Sequence, residues 1–108
     1  MNESELHELA DQTIEALQDA IDESGDDIDF VESGGVLTLE FDNGSKIIFS
    51  KQPAMSQLWM AAISGGFHFD YDEIKKTWVC DSGDKEELVS MFNRLASEQA
   101  GEVISLSF

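Results

Sequence analysis

Carboxylates are the one chemically capable group present in quantity, and they gather at one end of the chain. Glu3, Glu5, Glu8, Asp11, Glu15, Asp19, Asp22, Glu23, Asp26, Asp27, Asp29 and Glu32 fall within the first 32 residues, with no Lys or Arg among them. They are twelve of the 23 acids, and all six basic residues lie from Lys46 onward. Carboxylate oxygens suit hard cations: magnesium, calcium, manganese or ferric iron. The same charges would attract a basic protein face. His7 adds an imidazole four residues from both Glu3 and Asp11. Ligands on one exposed helix cannot close a cage, so affinity should be weak and selectivity poor.

Other chemistry lacks its residues. Two histidines and one cysteine offer no zinc-ligand spacing and no cluster of thiolates for an iron–sulfur centre within one chain. No glycine-rich phosphate loop is present. An EF-hand beginning at Asp22 would put Asp27 where glycine is needed and Ser33 where the closing glutamate belongs. Enzymatic chemistry therefore has no evident seat. The net charge of −17 should repel nucleic acid and anionic lipid and draw in cations or basic proteins. There is no apolar run of about 18 residues for a membrane span. The acidic, amphipathic start is unlike a secretory signal, and the single Cys80 fits a reducing compartment. A cytoplasmic location is expected.

The acids must be held by a helix. Over residues 4–23, Leu6, Leu9, Ala10, Thr13, Leu17, Ala20 and Ile21 share one arc at 3.6 residues per turn. Glu8, Asp11, Glu15, Asp19 and Asp22 form the opposite stripe, with His7 at its edge. Asn2 and Glu5 predict a capping box, and Gly25 a left-handed stop. Two exposed carboxylates about 6 Å apart repel by about 0.7 kcal/mol in water. The helix dipole also opposes Asp19, Asp22 and Glu23. A stripe that works against its own helix points to a cation or a basic partner.

After Gly25 the periodicity becomes two. Strands are predicted at Ile28–Glu32, Val36–Phe41, Lys46–Ser50, Gln57–Ala62, Phe67–Asp70 and Thr77–Cys80. Asn43-Gly44 signals a two-residue hairpin, which would pair Leu39 with Ile48 and turn Ile47 and Phe49 to the opposite face. Asp84 and Glu87 predict a second capping box, ahead of Leu88, Met91, Phe92, Leu95 and Ala96 at helical spacing. Gly101 ends that helix, and the apolar tail Val103–Phe108 should dock. Residues 1–108 thus read as one α+β domain. It is a two-layer α/β sandwich, with N- and C-terminal helices on one face of a mainly antiparallel sheet of about six strands. The open face would carry Trp59 with Ile47 and Phe49, an apolar patch of the kind partners use.

The ordered series Gly34-Gly35-Val36-Leu37-Thr38, Asn43-Gly44-Ser45-Lys46-Ile47-Ile48, Lys51-Gln52, Gln57-Leu58-Trp59, Gly65-Gly66-Phe67-His68-Phe69-Asp70, Trp78-Val79-Cys80-Asp81 and Gln99-Ala100-Gly101-Glu102 resembles the frataxin family in its bacterial branch. So does the opening Ser4-Glu5-Leu6-His7 with Leu9-Ala10-Asp11. Pro53 directly follows Gln52, where family members carry one residue more. The resemblance implies the same sandwich and an acidic ridge binding ferrous and ferric iron weakly. Glu3, His7, Asp11, Glu15, Asp19, Asp22, Glu23, Asp26, Asp27 and Asp29 fit that ridge. It implies an accessory role in iron–sulfur cluster assembly as iron-responsive regulator or iron donor. The implied partners are the cysteine desulfurase and scaffold proteins, with Lys51, Gln52, Gln57, Trp59 and His68 matching surface positions. A monomer is expected without iron. Two other readings compete: an acidic mimic of nucleic acid that blocks a basic site, and a weak ferroxidase that stores iron. The second lacks the paired Glu-x-x-His motifs of a di-iron site.

Overall fold

Asn2 Oδ1 accepts the Glu5 amide at 2.8 Å, and this cap starts helix α1, Glu3–Ser24. The helix stops at Gly25, whose φ of +74° a side chain would resist. In this computed structural model, which describes residues 1–108, Ala10, Ile14, Leu17 and Ile21 form the buried stripe of α1. Ile14 lies outside the arc read from the sequence, whereas Thr13 is only half-buried. The Thr13 hydroxyl is used instead: it donates to Leu9 O and accepts the Trp78 indole N–H at 3.0 Å.

Six strands follow: β1 Ile28–Ser33, β2 Val36–Phe41, β3 Lys46–Gln52, β4 Gln57–Ala62, β5 Gly65–Asp72 and β6 Thr77–Cys80. They form one antiparallel sheet in the order β1-β2-β3-β4-β5-β6. Helix α2, Leu88–Ala100, closes the chain with its tail. Both helices cover one face of the sheet. Phe49 on β3 meets Phe92 on α2 with ring centroids 5.8 Å apart, and Phe92 meets Phe108 of the tail at 5.5 Å. Ile104 and Leu106 dock the tail as expected, while Val103 stays exposed. No helix is long and apolar enough to cross a membrane.

Two local expectations are overturned. The β2–β3 hairpin pairs Leu39 with Ile47, not Ile48, and Leu37 with Phe49. Gly44 has φ +85° but Asn43 is not in the left-handed region, so a type I′ turn is excluded. Instead Gly44 N–H donates to Phe41 O and Phe41 N–H to Ser45 O, a three-residue loop with glycine at the bulge. That one-residue slip reverses β3. Ile47 and Phe49 are core, and Ile48 faces outward half-buried.

The second capping box does not form. Helix α2 begins at Leu88 with Glu87 as N-cap and no side-chain cap bond. Residues 86 and 87 are held extended by β6: Cys80 N–H donates to Glu86 O, and Val79 bridges to Glu87. Glu86 takes over the electrostatic role. Its carboxylate accepts from Arg94 at 2.8 Å and from Ser90 at 3.0 Å. The Arg94 bond holds its pKa below the ordinary glutamate value against some desolvation, with Ser90 helping. Its folded pKa being depressed, the contribution is complete above the unfolded value and lost as pH falls through the folded one. Glu86→Gln should therefore cost less than about 1 kcal/mol at pH 7, since half of the Arg94 side chain meets water. The gap should close in acid, as read by urea midpoints; a gap that persisted would assign it to packing.

Candidate functional site

The ridge acids are exposed on α1: Glu3, Asp11, Glu15, Asp19, Asp22 and Glu23, with His7 among them. Asp26 is half-buried in the link to β1, and Asp27 and Asp29 are exposed beside it. Glu3, His7, Asp11, Glu15, Asp19 and Glu23 stand four apart, each step advancing about 40° around the helix. The row begins beside the sheet and winds to the solvent side. The last turn of α1 carries no basic residue. Of the ridge carboxylates, Asp11 alone has an ion-pair partner: Lys51 Nζ on Oδ1, with His7 Nε2 at 3.6 Å from Oδ2. No three His, Cys, Asp or Glu side chains converge into a ready-made metal cage. The arrangement is a rail of separate carboxylates. Such a rail can hold a hydrated hard cation through one or two carboxylates, with water completing its shell.

The open sheet face holds a second group. Register sets Trp59 opposite both Ser50 and His68. Trp59 and His68 stack at 4.2 Å and 16°. Trp59 Nε1 donates to Gln57 Oε1 at 2.9 Å, and Gln57 Nε2 donates to Asp70 and Asp81 at 3.0 Å each. His68 Nδ1 lies 3.9 Å from Asp81. Gln52 shares this face and donates to Ser50 Oγ at 3.3 Å. The structure thus brings Gln57, Trp59 and His68 into one network, with Gln52 nearby. Asp70 and Asp81 belong to that network and were not singled out from the sequence. The spacing from His68 to Asp70 within one strand was the available signal; Asp81 needed the β5–β6 register.

Lys51 does not join them. Strand alternation turns it to the helix side, where it meets His7 and Asp11. It therefore stands with the ridge, although family likeness grouped it with the partner surface.

A family model described as the frataxin-like domain matches residues 1–102. The chain belongs to the frataxin family. Two relatives are named "Iron-sulfur cluster assembly protein CyaY". That of Ectopseudomonas mendocina is 52% identical over 94% of this chain and 91% of its own length. That of Pseudomonas fluorescens is 50% identical over the same shares. The solved structure of the frataxin from Psychromonas ingrahamii superposes with a TM-score of 0.89, at 33% identity and over the full length of both chains. The two-helix, six-strand frataxin fold is thus shared with an experimentally solved member of the CyaY family.

Proposed function

We propose that this frataxin-family protein is an accessory of iron–sulfur cluster assembly. On this reading it binds ferrous and ferric iron weakly along α1 and β1, as regulator or donor. It meets the cysteine desulfurase and scaffold proteins through the ridge and the open sheet. The observation that carries the reading is a ridge of carboxylates with one counter-cation in reach. The names of relatives about half identical over most of the chain support the assembly role.

The chemistry follows from charge. A bare acidic rail speeds encounter with a basic protein face and makes it salt-sensitive. A bound cation lowers the rail's charge and so weakens that encounter, which couples iron level to partner binding. Reconstituted cluster assembly with and without the protein, at low and high iron, tests this directly. Rates indifferent to both protein and iron would remove the proposal.

Asp19→Asn with Asp22→Asn probes the rail itself. The two acids sit in the last turns of α1, where the dipole opposes them. Their removal should raise stability by about 1 kcal/mol, from relieved repulsion of about 0.7 kcal/mol per close pair. Affinity for Mn²⁺ or Fe²⁺ should fall about tenfold, and added Mn²⁺ should lift the Tm less than in the native chain. Calorimetry and thermal melts read both. Metal affinity left intact in this variant would move the site off α1.

A further inference from the structure

Asp11 already holds a cation belonging to the chain itself. Lys51 Nζ contacts Asp11 Oδ1 and lies 3.5 Å from His7 Nε2, and the Lys51 side chain is only 15% exposed. Three elements fix it there. The pairing of Lys51 with Leu58, a core residue of β4, turns it toward α1. Its N–H donates to Gly35 O at 3.2 Å. Its stem runs past Gly35, where any Cβ would stand 3.2 Å from Lys51 Cε. The Ser33–Val36 hairpin uses positive φ at Gly34 and Gly35, and the bare Gly35 Cα leaves the channel for that stem.

An ammonium and a metal dication compete for this carboxylate and imidazole. The ammonium donates into the lone pairs a metal needs, and the two charges repel. We propose that Lys51 is a tethered competitor that withholds the Glu3–His7–Asp11 end of α1 from metal. The cation then loads first along Glu15, Asp19 and Asp22, and reaches Asp11 only at higher concentration. This rests on the reading of α1 as a metal rail and adds an order of filling to it. Metal entering the Asp11 end displaces the ammonium within the cleft that Lys51 already shares with Glu3, His7, Gln52, Pro53 and Gln57. High metal load thus frees one positive charge in a cleft that Gln57, the acceptor of the Trp59 indole N–H, also borders. Two states of the protein result, with Lys51 held on Asp11 or released from it.

The test is a Mn²⁺ titration of the ¹⁵N-labelled full chain, following paramagnetic broadening residue by residue. In the native chain the amides of Glu15–Asp22 should broaden before those of His7 and Asp11. Lys51→Met keeps the stem and removes the charge. It should lower the Mn²⁺ concentration that broadens His7 and Asp11 about tenfold, the scale set by one unit charge at contact distance. Lys51→Arg should keep the native order. Lys46→Met removes a charge of equal size from the far side of the sheet and should leave the order unchanged. If Lys51→Met behaves as native, or if Lys46→Met matches its effect, the competitor role is refuted while the rail stands. Absence of broadening along α1 in every variant would instead refute the rail, and the inference with it.

Discussion

Phe92→Ala will cost about 3–5 kcal/mol of folding stability, among the largest losses expected from a single truncation here. The Phe92 ring is fully buried and joins the sheet, α2 and the C-terminal tail. It packs at a tilt on Phe49 of the sheet and edge-on to Phe108 of the tail. Removing it leaves a cavity bounded by elements that cannot all collapse inward, because β3 is fixed by its ladder and α2 by its other core contacts. Total stability for such a domain is about 5–15 kcal/mol, so the variant will sit near its unfolding threshold. Urea denaturation should show a lower midpoint at unchanged slope. A loss under about 1 kcal/mol would mean that the tail and α2 do not pack as described.

On the proposed function, Trp59→Ala will weaken binding to the desulfurase or scaffold about 30-fold or more, the scale of a tryptophan at the centre of an interface. Its effect on Mn²⁺ or iron affinity should stay within about twofold. The ring is half-buried and already immobilised by His68 on its face and Gln57 at its nitrogen. A partner therefore spends little entropy in fixing it. The proposed metal rail lies on α1, on the other side of the sheet, and shares no contact with Trp59. Surface plasmon resonance for the partner and calorimetry for the metal separate the two effects. Loss of metal affinity with partner binding intact would reverse the assignment of the two surfaces.

Most of the architecture was legible because the patterns were strong. The helical arc of Leu9, Ala10, Leu17 and Ile21, the alternation in Gln57–Ala62 and the stop at Gly25 all reappear. The hairpin register was misread because Asn43-Gly44 serves two turn types. Tertiary contact decides between them. Asn43 Oδ1 accepts the Ser45 amide while its Nδ2 reaches Gln99 O at the end of α2, a contact 56 residues away. The start of α2 was misplaced for a similar reason, since β6 claims the backbone of residues 86 and 87. Exposure of the ridge acids followed from helix geometry. The position of Lys51 did not: it depends on the true β3 register and on the room above Gly35. Strand alternation alone predicts Trp59 on the open face, but its clamp of Gln57, Asp70 and Asp81 arises only when three strands are in register.

Each strand after the first in this sheet hydrogen-bonds to the strand just before it in the chain. Such a meander zips up through short loops, whose closure entropy is small. Helix α1 instead meets the sheet through distant links, 65 residues apart from Thr13 to Trp78 and 40 from Asp11 to Lys51. Its docking is therefore expected late, after the barrier to folding. Whatever neutralises that helix will thus prolong the lifetime of the finished molecule far more than it hastens its birth.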